Sequence, residues 1–305
     1  MSLDSIQEFG QGRMGGVKFK VHSLVSNMQS YYRNIHTTKL YVLYLCCNSP
    51  GMQEYFQLLN QYYDKIYVLS IESADARREL FALRFKGLNY SFFFGADKNK
   101  FTIEEAGAKN IFSERLARQH HRFSKTMMHG EIACSGSHKM MYKDMLANNY
   151  NRVLIFEDDA VPDEKMLQQI PAILKEIPGD CELLMWGWAK NGNANFGTWL
   201  KQIFYHIKHE AGRLKWEHAI INHLYAKHFS KHLKKAGFHD YTYAYAINRS
   251  AAEKLVQMQT PIQYIADNLL AHAATKGIVK GYITWPPVFL HDSLPDGKHR
   301  DSYIR

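Results

Sequence analysis

Cysteine is scarce in this sequence. Of 305 residues four are Cys, with Cys46 and Cys47 adjacent and Cys134 and Cys181 isolated. Neither a C-x-x-C zinc spacing nor the paired pattern of a disulfide-stapled secreted domain is present, which points to a reducing compartment. Long apolar runs are missing as well. "LYVLYLCC" at 40–47 falls far short of the ~20 residues that a bilayer-spanning helix needs, and it is not at the extreme N-terminus, as a signal peptide would be. The expectation is a cytoplasmic protein, at most peripheral at the inner face of a membrane. Internal repeats and linkers are absent too, so one large domain is expected over 38–305. Acid is in deficit: 38 Lys and Arg against 29 Asp and Glu give a formal charge of +9. That excess favours an anionic partner, whether nucleic acid, an anionic membrane surface or a phosphorylated small molecule. No nucleic-acid module is recognisable, and nucleic acid is not expected as a partner.

Residues 1–37 lack periodicity and read as a poorly ordered leader. They spell G-x-G-x-x-G through Gly10, Gly12 and Gly15. The dinucleotide fingerprint requires a strand directly before those glycines, and none is readable there.

From residue 40 onward strand and helix signals alternate. "KLYVLYLC" and "KIYVLSI" are β-branched and aromatic runs flanking the helical "GMQEYFQLLNQYY", a βαβ pattern. A helix is predicted in "ADARRELFALRFKGL", a strand in "YSFFFGAD", a helix over about 131–148 and a strand at 153–156. Beyond them "EKMLQQIPAILKEI" reads as a helix broken at Pro171. "CELLMWGW" and "YTYAYAINR" read as strands, and "SAAEKLVQM" as a helix with Ser250 at its N-cap. The pattern predicts an α/β domain.

One of these strands ends unusually. "NRVLIFEDDA" runs four apolar residues into Glu157, Asp158 and Asp159. In an extended strand Glu157 and Asp159 would face one side and Asp158 the other. Strand carboxyl ends form the ligand-binding edge of open α/β sheets. Hard divalent cations such as Mg²⁺ and Mn²⁺ take one or two carboxylates and complete their shell with water and phosphate oxygens, so the cluster suits a metal-diphosphate site. The alternative is a loop start whose acids only face water. Crowded carboxylates repel one another unless a cation neutralises them, which argues for a counter-ion here.

Four segments together resemble glycosyltransferase family 25, the bacterial lipopolysaccharide galactosyltransferases and collagen galactosyltransferase domains. "IYVLSIESADARRE" is similar to the family's opening strand and Asn-Leu-Asp-Arg, with Arg77 and Arg78 matching its arginine pair. Ser70, Glu72 and Ser73 depart from it. "GEIACSGSHKMMYKDML" matches a Gly-Glu-Ile-Gly-Cys-x-x-Ser-His helix start at Gly130, Glu131, Ile132, Cys134, Ser137 and His138. "VLIFEDDA" matches the Glu-Asp-Asp motif, and "YAYAINRSAAEKL" resembles a later segment. The resemblance, over about 65–295, implies a GT-A-like, Rossmann-type single domain with a mostly parallel sheet and helical additions. It also implies an inverting hexosyl transfer, galactose first, from a UDP-sugar to a glycan such as lipopolysaccharide core. Bacterial glycans are expected over collagen-type acceptors.

The same resemblance implies roles. Asp159 is the first expected metal ligand for Mn²⁺ or Mg²⁺, with Glu157 and the late His291 beside it and Asp292 a weaker alternative. Ser70, Glu72, Arg77, Arg78, Ser137, His138, Glu157 and Asp158 are expected around the donor. Asp267 is the candidate general base, against a reading as an exposed or capping helix residue. Competing functions are a catalytically inactive sugar-nucleotide or glycan-binding relative, and a metal-dependent phosphohydrolase. Residues 189–240 are the hardest to read. Seven of the sixteen histidines lie between 206 and 239. His228 and His232 have a spacing that binds zinc on a helix, although no nearby cysteine supports this. The lysines of "AKHFSKHLKK" suggest either a basic surface for anionic headgroups or a solvated helix.

Overall fold

Helix α1 (Pro50–Tyr62) opens the part of the chain that the computed structural model describes, residues 50–292. The chain divides into two units, Met1–Cys46 and Cys47–Arg305. The leader expected over 1–37 and the strand expected at 39–46 lie outside the described residues. In α1, Met52, Phe56, Leu59 and the following Tyr63 recur at helical spacing and are all buried, so one stripe of the helix seats it on the sheet.

The chain then alternates as its pattern predicts. β1 (Lys65–Ser70), α2 (Asp75–Arg84) and β2 (Ser91–Phe94) form the first crossover. Two short helices, α3 (Ile103–Ala108) and α4 (Glu114–His120), precede the long α5 (His129–Ala147). β3 (Arg152–Glu157) and the short β4 (Ala160–Pro162) follow, then α6 (Glu164–Leu167) and α7 (Ile170–Glu176). Pro171 lies in the first turn of α7, where its missing N–H costs nothing, so the expected interruption becomes a fresh helix start. β5 (Leu183–Ala189), α8 (Phe196–Glu210), α9 (His218–Asn222), β6 (Lys227–His228), β7 (Leu233–Lys235) and β8 (Asp240–Asn248) come next. α10 (Arg249–Met258), α11 (Ala266–Thr275), β9 (Gly281–Thr284) and β10 (Phe289–His291) complete the order.

The main sheet runs β2-β1-β3-β8-β5-β9-β7-β6 and is mixed. β1 pairs parallel with β2 and β3, and β5 with β9, whereas β8 lies antiparallel between β3 and β5. Helices cover both faces. Val68, Leu154, Phe156, Trp186 and Ala246 point to the layer holding α1 and α2, while Tyr67, Val153, Ile155, Tyr245 and Ile247 point to the layer of α5, α10 and α11. Burial on both sides explains why these strands read as continuous apolar runs rather than alternating ones.

Two local expectations are corrected. The cap of α10 is Asn248, whose side chain accepts from Ala251 N at 2.9 Å, while Ser250 donates instead to Glu182 at 2.7 Å. Within "AKHFSKHLKK" the chain forms the β6–β7 ribbon and not a helix, so His228 and His232 share no helical face. His232 is buried against Glu176 at 2.6 Å, and His228 is exposed.

Candidate active site

β1 and β3 are parallel neighbours in the register Leu69↔Glu157, so their carboxyl ends open at the same edge. β3 stops at Glu157, and Asp158 and Asp159 occupy the turn before β4. The strand alternation expected for the three acids therefore ends one residue into the motif. Glu157 faces α5, while Asp158 and Asp159 both reach Arg77 on α2.

Glu157 accepts a hydrogen bond from Thr242 Oγ1 on β8. Its Oε1 lies 3.6 Å from His138 Nε2. The buried His138 ring is fixed by Nδ1, 2.7 Å from the Tyr245 hydroxyl, which in turn meets the Tyr142 hydroxyl at 2.8 Å. Asp158 is 5% exposed. It accepts from Ser70 Oγ at 2.6 Å and faces Arg77 Nε at 2.9 Å. Burial pushes its carboxyl up to about 6, against the opposing pull of Arg77 and Ser70.

Asp159 Oδ2 accepts from Arg77 Nη2 and lies 3.2 Å from His291 Nε2. Burial raises its pKa, but the hydrogen bond to His291 and the charge of Arg77 outweigh burial, and the net direction is down. His291 is the converse: burial lowers its pKa, and Asp159 more than reverses that. Asp159 Oδ1 is buried and has no hydrogen-bond partner among the described residues. The counter-charge that crowded acids require is thus partly supplied by the protein itself, through Arg77 and His291.

A cleft of about 1160 Å³ opens over these strand ends. Ser70, Arg77, Ser137, Glu157, Asp158, Asp159, Asp267 and His291 all line it. Asp267, in the first turn of α11, accepts from the backbone N–H of Asn268 at 2.7 Å and of Tyr241 at 3.1 Å. Burial pushes its carboxyl up to about 6. Ser137 accepts from Ala96 N at 2.8 Å and donates to Ala133 O at 2.7 Å. Gly95 permits that approach, because a Cβ there would lie 2.4 Å from Ser137 Oγ.

Other expected donor residues stand elsewhere. Arg78 donates to Asp75 and to the carbonyls of Ile71 and Glu72, which fastens the loop after β1. Glu72 is exposed and pairs with Lys100 at 2.8 Å. His138 lies behind the cleft wall. Asp292 pairs with buried Arg84 at 2.6 Å.

The residues expected to hold a metal fall into two groups. Asp159 and His291 are adjacent, whereas Glu157 clusters with Cys134 and His138, their ligand atoms within 4.8 Å of one another. Burial raises the Cys134 thiol well above its ordinary pKa, which disfavours the thiolate. A further group, His209, Glu210 and His218, lies far along the sequence from the acidic motif.

Several cleft residues escaped the sequence reading. Tyr241 and Tyr243 stack at 5.0 Å, with the Tyr243 ring 5.2 Å from His291, and the buried Thr242 between them in sequence orients Glu157 from behind the lining. Tyr241 has φ of 73°, a left-handed conformation uncommon for a residue with a side chain. The available signal was the alternation in "YTYAY", which sets Tyr241, Tyr243 and Tyr245 two residues apart. Trp216, Phe238 and Arg122 also line the cleft, and no local pattern announces them.

The family model for glycosyltransferase family 25, described as lipopolysaccharide biosynthesis proteins, matches residues 63–270. The chain belongs to glycosyltransferase family 25. The matched stretch contains the acidic motif, Arg77 and Asp267, and ends before His291. None of the curated proteins matches this glycosyltransferase. Among solved structures, the crystal structure of A197 from STIV is similar at 11% identity with a TM-score of 0.35, over 79% of this chain and 95% of that one. Among the described residues of the glycosyltransferase, no helix is long and apolar enough to cross a membrane.

Proposed function

We propose that this family 25 enzyme transfers a hexose, galactose first, from a UDP-sugar to a glycan acceptor such as lipopolysaccharide core, with inversion, on a GT-A-like domain. The observation that carries the reading is the arrangement across the cleft. Asp159, Arg77 and Asp267 all line the same cleft, of about 1160 Å³. That is larger than an ordinary small-ligand pocket of about 300–1000 Å³, and it suits a nucleotide sugar together with an acceptor.

Arg77 holds Asp158 and Asp159 at the donor edge, and Ser70 secures Asp158 from beneath. Asp159 Oδ1, buried with no hydrogen-bond partner among the described residues, and the adjacent His291 fit a hard divalent cation such as Mn²⁺ or Mg²⁺. When bound, such a cation neutralises charge on the departing diphosphate. Glu157, held by Thr242, is the acid for the ribose or for a water-bridged contact. Asp267 is the base. The acceptor oxygen attacks the anomeric carbon, the bond to the diphosphate oxygen breaks with its electron pair leaving on the nucleoside diphosphate, and the acceptor proton passes to the Asp267 carboxylate. The two backbone N–H groups on that carboxylate fix its direction, and burial keeps its basicity above that of an ordinary aspartate.

The test is calorimetric titration with UDP and UDP-galactose, with and without Mn²⁺, on the native chain and on Asp159→Ala. Metal-dependent binding lost in the variant is the expected result. Absence of UDP binding with any divalent metal would sink the donor assignment.

A further inference from the structure

Helix α8 sits with its apolar face outward. Phe196, Trp199, Leu200, Ile203, Phe204 and Ile207 recur at spacings of three and four and form one stripe. Each is between 39% and 73% exposed, and no residue of the helix is buried. The opposite, more polar face touches protein. Gln202 Nε2 donates to Ile221 O at 2.6 Å, His209 Nδ1 lies 3.2 Å from Leu214 O, and the Tyr205 ring meets Trp216 edge-on at 5.9 Å. A surface helix of a globular protein normally buries its apolar stripe, so this helix is docked for an apolar medium outside the fold.

Charge selects that medium. From 196 to 216 the charged residues are Lys201, Lys208, Arg213 and Lys215 against one acid, Glu210. Glu210 is engaged by His218 at 3.0 Å. The Lys208 ammonium lies 4.5 Å from the Phe204 ring, so its stem runs along the flank of the stripe with the charge at its edge, and the Lys201 ammonium lies 5.6 Å from the Tyr205 ring, between the stripe and the protein-facing side. An aromatic and aliphatic face bordered by lysine is the composition of a helix lying in a membrane interface.

We propose that α8 is an in-plane anchor, lying at the boundary of headgroups and acyl chains in a bilayer that contains anionic lipid. Its 15 residues, about 22 Å long, rest on the membrane and do not cross it. Trp216 and Phe238, in the apolar cluster against which Tyr205 packs, also line the cleft. The anchor therefore adjoins the cleft. The inference stands apart from the assignment of donor and base, since it uses none of those residues.

The full chain is tested by co-sedimentation with phosphatidylcholine vesicles, with and without phosphatidylglycerol, at low and high salt. The native protein is expected to sediment with the anionic vesicles. Ile203→Glu combined with Ile207→Glu is expected to lower the vesicle partition constant about tenfold, the equivalent of 1.4 kcal/mol, with the melting temperature unchanged. Lys201→Glu with Lys208→Glu is expected to remove the preference for phosphatidylglycerol. Failure of the native chain to bind either vesicle, or undiminished binding by the Ile variant, overturns the anchor. Equal binding to both vesicles overturns the anionic-lipid requirement. A lipid-free dimer that the Ile variant converts to monomer assigns the face to a second copy. Protection of Trp199 from iodide in lipid-free protein, read against Trp199→Phe, assigns it to another part of the same chain; either result overturns the proposal.

Discussion

His291 Nε2 lies 3.2 Å from Asp159 Oδ2 because β10 pairs antiparallel with β4 in the register His291↔Ala160. A two-stranded ladder outside the main sheet thus sets a late histidine against the last acid of the strand-end motif. His291→Ala removes one member of this pair and leaves Asp159 on Arg77. Mn²⁺-dependent UDP binding is expected to weaken by about tenfold, or 1.4 kcal/mol, with metal-independent binding unchanged. Titration calorimetry at fixed pH checks both.

Arg77 bridges two carboxylates through different nitrogens, a geometry that lysine cannot reproduce. Arg77→Ala leaves Asp158 buried without its cation and is expected to lower stability by about 2–4 kcal/mol, toward the range for breaking a buried pair. Arg77→Lys is expected to recover part of the stability and little of the UDP affinity. Denaturant melts paired with nucleotide titration separate the two effects.

Asp267 is held near pKa 6 by burial. As the proposed base it must be deprotonated, so the transfer rate is expected to rise with pH through about 6 and level off above it. Asp267→Asn is expected to remove that limb together with most of the activity. Linkage gives a second sign. A carboxyl whose folded pKa is raised adds stability that is present below its unfolded value near 4 and is lost as pH rises through about 6. Melting temperatures between pH 4 and 6 are therefore expected to fall less steeply in Asp267→Asn than in the native chain.

Ser70 donates 2.6 Å to the buried Asp158. Ser70→Ala deletes that donor without adding bulk and is expected to cost about 1–3 kcal/mol of stability. Asp158→Ala made on both backgrounds removes the acceptor and forms a cycle that isolates the pair. A coupling near zero in denaturant melts would remove Ser70 from the support of the acidic motif.

Gly95 is a steric test of the same edge. Its absent Cβ leaves 2.4 Å to Ser137 Oγ. Gly95→Ala is expected to displace the β2 end from α5 and cost about 1–3 kcal/mol, as overpacking does. The combination with Ser137→Gly is expected to restore only part of the loss, because Leu69 Cδ1 would still lie 2.9 Å from the new Cβ and the Ala96 N–H would lose its acceptor.

The sequence by itself determined the strands buried on both faces, the helices between them, and the strand-end position of Glu157, Asp158 and Asp159, since each is written in local periodicity and in the order of four family segments. It did not determine how far the strand continued. The turn at Asp158 gave that acid and Asp159 to the same arginine, where alternation alone would have parted Asp159 from Asp158. Residues 196–210 illustrate the same division. Helical spacing of apolar residues is a sequence property, but which face meets the protein depends on whether the surrounding core has room for it. Here Gln202, Tyr205 and His209 took the inner positions, and the stripe was left outside. The pairings of His291 with Asp159, Thr242 with Glu157 and the Tyr241 N–H with Asp267 likewise join strands and turns distant in sequence. Such contacts exist only once the β4–β10 ladder and the antiparallel insertion of β8 have formed, because no local hydrogen bond or side-chain spacing specifies them in advance.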